Sequence, residues 1–121
     1  MATIELTHEN FDDMIQNHDF VIVDFWADWC GPCKGFAPVY EKVSKDYPEI
    51  VFGKVNTEEQ SELSSHFQVK SIPCLMIFRE QVIIFNNSGA LPEAQLRSRL
   101  DSARALDMEQ IRQRLKDEKE E

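Results

Sequence analysis

Two kinds of hydrophobic pattern alternate along the chain. Short runs rich in β-branched and aromatic residues predict strands at 3–6, 20–26, 49–56, 75–78 and 82–85. Segments with apolar residues at every third or fourth position predict a helix after Thr7 and helices at 32–47, 57–67 and 91–103. Because strands and helices alternate through most of the chain, the pattern predicts an α/β domain with parallel neighbouring strands.

The hydrophobic pattern continues beyond this domain. Met108, Ile111 and Leu115 recur at helical spacing and are followed by a charged end. We therefore divide the chain into a domain at 1–105 and a helical, charged extension at 106–121. Asp107 with Gln110 could begin a separate helix, but no glycine or proline forces a break, so one long helix is equally compatible. Such an extension folds back on its own domain, frays in solvent, or serves as a docking or dimerisation arm.

Length and charge restrict the class of protein. The 121 residues, 42% of them hydrophobic, suffice for one domain with a single core. The formal net charge of −9 argues against nucleic acid or an anionic membrane as the main partner. The sequence has no apolar run of transmembrane length, and its first residues lack the features of a secretory signal. We expect a cytoplasmic protein, in which cysteines serve catalysis or metal binding more often than structural disulfides.

The candidate chemistry lies in the segment Trp29-Cys30-Gly31-Pro32-Cys33. It falls between the predicted strand at 20–26 and a helix whose apolar face includes Tyr40. The first turn of a helix presents free N–H groups and the positive end of the helix dipole, and both stabilise a thiolate. With two residues between them, the cysteines can cycle between dithiol and disulfide. A CxxC pair alone is also compatible with a zinc site.

The longer segment Asp24-Phe-Trp-Ala-Asp-Trp-Cys-Gly-Pro-Cys-Lys34 resembles the active-site segment of the thioredoxin family almost residue for residue. The resemblance implies a thioredoxin-like fold, with a mixed central sheet of about five strands and helices on both faces. It also implies a thiol–disulfide oxidoreductase that reduces protein disulfides. In that chemistry Cys30 attacks the substrate disulfide as a thiolate, and Cys33 resolves the mixed disulfide.

Two further residues take possible catalytic roles from the resemblance. Asp24 is an acid within an apolar strand, and in the family the matching aspartate lies beneath the second cysteine and relays its proton. The simpler interpretation is a partly exposed acid at the end of the sheet. Lys54 matches a lysine that approaches this aspartate, although an ordinary strand lysine in solvent is nearly as compatible with the sequence.

The resemblance also implies a substrate-binding rim. The family carries Ile-Pro with a cis bond at Ile72-Pro73, which brings this loop against the cysteines and lets the backbone of Ile72 pair with an extended substrate. Gly89 matches a glycine near the same rim. We expect the rim to consist of Trp29, Gly31, Pro32, Ile72, Pro73 and Gly89.

The expected partners are disulfide-containing proteins and an NADPH-dependent thioredoxin reductase. No cofactor is expected, since the chain has no glycine-rich phosphate loop. The protein would be a monomer or a weak homodimer formed through its C-terminal helix.

Two other classes of function stay open at this point. One is a binding module in which partner docking matters and the redox pair is incidental. The other is a metal or iron–sulfur carrier that uses Cys30, Cys33 and Cys74, a cysteine where the family usually has threonine. The simpler interpretation of Cys74 is a small, buried and inert residue.

Overall fold

The computed structural model describes residues 3–120, with side chains from 3 to 118. Its elements are, in chain order, β1 (Thr3–Glu5), α1 (Phe11–Asn17), β2 (Phe20–Trp26), α2 (Gly31–Ser44), β3 (Val51–Asn56), α3 (Ser61–His66), β4 (Cys74–Arg79), β5 (Val82–Ser88), α4 (Glu93–Arg104) and α5 (Met108–Glu120). No helix within this described range is long and apolar enough to cross a membrane.

The strands described at 3–88 form one mixed sheet of five in the order β1-β3-β2-β4-β5. The pairs β1–β3 and β2–β3 are parallel, whereas β2–β4 and β4–β5 are antiparallel. The prediction of parallel neighbours is therefore correct for the first three strands and wrong for β4. Strand β2 lies at the centre, and it ends at Trp26, just before the cysteine segment.

Helices cover both faces of the sheet, as the sequence predicts. On one face, α2 and α4 pack their apolar side chains, including Tyr40 and Leu100, against Ile22 of β2. On the other face, Phe11 of α1 and Leu63 of α3 enclose a second cluster with Phe25. Because both faces of β2 are buried, a partner protein can reach this strand only at its carboxyl end.

Two helices begin later than predicted, because the predicted capping threonines form turns instead. Thr7 accepts the backbone N–H of Glu9 at 3.2 Å through its hydroxyl, and α1 begins at Phe11. After β3, the side chain of Asn56 accepts the backbone N–H groups of the next turn, and α3 begins at Ser61. Asparagine side chains favour such turns because they imitate a backbone carbonyl.

The C-terminal extension forms a separate helix. The chain leaves helical geometry after Arg104, and α5 begins at Met108, where Asp107 Oδ1 accepts the N–H of Gln110 at 3.2 Å. Met108 is only 4% exposed, and Arg112 pairs with Glu80 in the β4–β5 turn. The helix thus contacts its own domain, which is the folded-back arrangement among those that the sequence left open.

Candidate active site

The cysteine pair lies where β2 leads into α2. Cys30 is the N-cap residue of α2, and Pro32 occupies its first turn, where proline needs no N–H partner. The two sulfur atoms are 2.27 Å apart in a disulfide. The backbone N–H of Cys33 donates to Cys30 Sγ at 3.2 Å. The same N–H would stabilise a Cys30 thiolate after reduction, because a charged acceptor strengthens the bond.

Access to the pair is narrow. Cys30 and Cys33 are 4% and 3% exposed, whereas the neighbouring Trp29 is 69% exposed. The indole N–H of Trp29 donates to the carboxylate of Glu58, which fixes the ring beside the opening. A large exposed aromatic side chain next to a nearly covered sulfur provides an apolar surface on which a partner can dock.

The loop before β4 forms the opposite wall. Cys30 Sγ lies 3.8 Å from the carbonyl oxygen of Ile72, and the Ile72–Pro73 peptide bond is cis, as the resemblance implies. Gly89 donates its N–H to the carbonyl oxygen of Pro73 at 2.7 Å and has φ of +111°. Glycine is required at position 89 by this φ, although the space around it is open. The structure therefore places Ile72 beside Cys30 and joins Gly89 to the adjoining Pro73.

Asp24 is a buried acid in the central strand. It is 1% exposed, and within the described side chains neither carboxylate oxygen has a hydrogen-bond partner. Burial removes the carboxylate from water and raises its pKa from 3.8 to about 7, against a smaller opposing effect of Lys54. The interpretation of Asp24 as a partly exposed acid at the end of the sheet is therefore wrong.

Lys54 is a half-buried lysine, and within residues 3–118 it forms no ion pair. It is in register with Asp24 on the adjacent strand, and its Nζ lies 4.9 Å from the centre of the Trp26 ring. Its ammonium group lowers the pKa of Asp24 through space. Lys54 therefore acts on Asp24 as a nearby charge, while the indole ring stabilises the cation.

The third cysteine, Cys74, is a buried residue of the core. Cys74 is 3% exposed, packs in the cluster on the α1 and α3 face, and contacts Asn86 Oδ1 at 3.4 Å. Burial raises the pKa of its thiol. Among the residues that the structure describes, no group of three or more Cys, His, Asp or Glu side chains could hold a metal ion. The alternative of a carrier using Cys30, Cys33 and Cys74 is therefore not favoured.

One polar group near the site was missed by the sequence analysis, which counted Tyr40 only as part of the apolar face of α2. Tyr40 is fully buried, and its hydroxyl donates to the carbonyl oxygens of Ile22 and Gly53. A hydroxyl at an otherwise apolar helix position was the available signal, because a buried tyrosine normally finds a hydrogen-bond partner.

The sheet is mixed and lies between two layers of helices, and a disulfide joins the N-cap and the first turn of the helix that follows its central strand. This arrangement is that of a thiol–disulfide oxidoreductase. Comparison with known proteins identifies the particular family. The family model for thioredoxin matches residues 2–102. The chain therefore belongs to the thioredoxin family, and it reduces protein disulfides through Cys30 and Cys33.

Individual relatives agree with this assignment. The chain is 56% identical over 111 residues to "Putative thioredoxin 2" of Streptomyces coelicolor, covering 92% of this chain and 83% of the relative. It is 43% identical to "Thioredoxin C-3" of Corynebacterium nephridii, over 84% of this chain and 70% of that protein. Among solved structures, Plasmodium falciparum thioredoxin superposes with a TM-score of 0.77 at 35% identity, over 83% of this chain and 97% of that one.

Proposed function

We propose that the reduced form attacks with Cys30 and completes the exchange with Cys33. The Cys30 thiolate attacks one sulfur of the substrate disulfide, forms a mixed disulfide and releases the other substrate sulfur as a thiolate. Cys33 then loses its proton and attacks Cys30 Sγ, which releases the second substrate thiolate and leaves the Cys30–Cys33 disulfide. The disulfide at the start of α2, with the Cys33 N–H directed at Cys30 Sγ, is the observation that carries this proposal.

Asp24 is proposed as the base that takes the proton from Cys33. A base works best when its pKa is near the working pH, and burial brings the pKa of Asp24 to about 7. Its lack of a hydrogen-bond partner within the described chain leaves the carboxylate free to accept a proton. Lys54 opposes the effect of burial and so limits how far the pKa of Asp24 rises.

The proposed docking rim consists of Trp29, Gly31, Pro32, Ile72, Pro73 and Gly89. Trp29 supplies apolar contact area, and the backbone around Ile72 offers polar groups to an extended substrate segment. Glycine at 31 and 89 leaves open space beside the path of such a segment. Because main-chain bonds do not distinguish side chains, this rim suits many disulfide-containing proteins.

An NADPH-dependent thioredoxin reductase is the proposed source of electrons. The disulfide form must receive two electrons before each cycle, and the exposed Trp29 offers the reductase the same docking surface as it offers substrates.

We further propose a cytoplasmic location and a domain at 1–105 that carries the whole redox site. Residues 106–121 are proposed to be an accessory helix, and the monomer to be the working form, because Met108 of α5 packs against its own domain.

The proposed roles are tested by insulin reduction with NADPH and a bacterial thioredoxin reductase. We expect Cys30→Ser to abolish turnover and Cys33→Ser to accumulate a mixed disulfide with insulin, since the resolving thiol is then missing. Cys74→Ser is the matched control and should retain wild-type turnover, because that thiol lies outside the proposed exchange. Wild-type turnover by Cys30→Ser would contradict the assignment of the nucleophile.

A further inference from the structure

Tyr40 directs the only polar atom of its side chain at the seam between β2 and β3. Its Oη donates to Ile22 O at 3.0 Å and to Gly53 O at 2.8 Å. A phenol has one proton, so the two carbonyls share it in a three-centre bond. Its lone pairs are still available, since no donor within residues 3–118 bonds to this oxygen.

This seam lies directly beside Asp24. Ile22 precedes Asp24 by two residues and is therefore on the same face of β2. Gly53 immediately precedes Lys54, which is in register with Asp24. Burial, and to a lesser extent the negative charge of Asp24, raises the pKa of the Tyr40 phenol well above its ordinary value. Both side chains are buried, and Tyr40 Oη bonds to the backbone at positions next to Asp24 along β2 and β3.

The two groups are chemically complementary in only one protonation state. The proton of Tyr40 is already engaged by two carbonyls, so its oxygen can accept a hydrogen bond but cannot readily donate another. A protonated Asp24 has an O–H to donate, whereas its carboxylate has none. Tyr40 therefore favours the protonated form over the carboxylate.

We propose that Tyr40 is a positioning residue that stabilises protonated Asp24 by offering its phenolic oxygen as the acceptor. No direct bond joins the two side chains in the described structure, so a side-chain rotation of Asp24 or one bridging water completes the contact. The inference rests on the proposed role of Asp24 as the base. With this acceptor, Asp24 holds the proton that it takes from Cys33 more tightly.

Other groups near Asp24 act differently. Lys54 of β3 favours the carboxylate through its positive charge. Cys74 of β4 is a thiol whose own pKa is raised mainly by burial and to a smaller extent by the charge of Asp24. Cys33 of α2 is held in the disulfide. Tyr40 thus acts with burial against the effect of Lys54, and removing its hydroxyl should lower the pKa of Asp24.

The test follows the titration of the Asp24 carboxyl carbon by ¹³C NMR in the disulfide form, where Cys30 and Cys33 do not titrate. In Tyr40→Phe, which keeps the ring, we expect the midpoint to fall by roughly half to one pH unit, the equivalent of one net hydrogen bond. Tyr47→Phe is the matched control, because its hydroxyl bonds instead to Asp101 at 2.9 Å. That variant should leave the Asp24 midpoint unchanged.

An Asp24 midpoint in Tyr40→Phe equal to that of the wild type overturns the inference. If Tyr40→Phe does not fold, the Tyr40 Cζ resonance is followed in the wild type instead, where it should shift at the Asp24 midpoint. In Asp24→Asn the same resonance should stay constant over this pH range. A constant Tyr40 resonance in the wild type also overturns the inference. Wild-type insulin reduction by Asp24→Asn would instead remove the proposed catalytic role of Asp24, whatever the titration shows.

Discussion

At the scale of single residues, the environments of Asp24 and Cys30 have opposite effects on negative charge. Cys30 receives a backbone N–H from Cys33 at the start of a helix, an arrangement that stabilises negative charge on sulfur. Asp24 receives no hydrogen bond within the described side chains, and burial destabilises its negative charge. The site thus combines a sulfur that readily becomes an anion with a carboxyl group that readily holds a proton.

The protonation of Asp24 should make stability depend on pH. Its pKa is about 7 in the folded chain and near 3.8 when unfolded, so the folded state binds the proton more tightly. The stabilisation by this proton is therefore complete below the pKa of the unfolded chain. The free energy of unfolding falls by about 4 kcal/mol as the pH rises from there to the pKa of the folded chain.

We expect Asp24→Asn to remove this part of the pH dependence. Urea unfolding of the disulfide form at pH 4, 6 and 8 measures it. The wild type should lose stability relative to the variant as the pH rises, and the difference should level off above pH 7. Parallel stability curves for the two proteins would show that Asp24 titrates alike in the folded and unfolded chain.

At the scale of elements, the position of β3 depends on close packing between Gly53 and the side chain of Leu6, the residue that follows β1. A side chain at Gly53 would overlap Leu6 Cδ1 and lie 2.8 Å from Leu6 Cγ, and Leu6 is fully buried. The carbonyl of the same glycine accepts the hydroxyl of Tyr40. Gly53 thus lets β3 fit between a core side chain on one face and α2 on the other.

Gly53→Ala should destabilise the fold by about 1–3 kcal/mol, because the added methyl group overpacks the core beside Leu6. Gly35→Ala is the matched control. Gly35 lies within α2, where an added Cβ meets nothing within 4 Å, so this change should instead stabilise the helix by about 0.5–1 kcal/mol. Urea midpoints of both variants measure the difference. A tolerated Gly53→Ala would mean that Leu6 can repack.

At the scale of the whole molecule, the redox site and α5 lie at opposite ends of the sheet. Cys74 pairs with Phe25 near the site, whereas Arg79 pairs with Phe20 at the other end of the same two strands. Helix α5 contacts the turn that follows Arg79, through Arg112 and Glu80. Its contribution is therefore expected to concern stability rather than the exchange of disulfides.

Truncation after residue 105 tests this expectation. It exposes the surface that Met108 covers, at a cost of about 1.5–3 kcal/mol, and removes an ion pair that adds at most about 1 kcal/mol. We expect a lower thermal midpoint with unchanged kcat/KM for insulin reduction. Sedimentation velocity should give a monomer with or without the extension. A dimer that dissociates on truncation would establish α5 as a dimerisation arm instead.

The sequence by itself determined the main features that depend on neighbouring residues. The position of the cysteines between a strand and a helix is local, because it follows from the hydrophobic pattern on either side and from Pro32. The resemblance around Asp24–Lys34 then led to the family, the mixed sheet and the cis peptide bond at Ile72–Pro73. The cysteine position depends on local sequence, whereas the mixed sheet and the cis bond came from the resemblance; the structure agrees with all of them.

Only the tertiary structure decided features that depend on residues far apart in the chain. Asp24 could be a surface acid or a buried one until both faces of β2 were covered, and its burial is what changes its pKa. The hydroxyl of Tyr40 reaches its acceptors because α2 packs across two strands. The extension became a separate helix because Met108 finds a buried place on its own domain. In each case the deciding free energy comes from desolvation and packing between elements, which a sequence pattern does not contain.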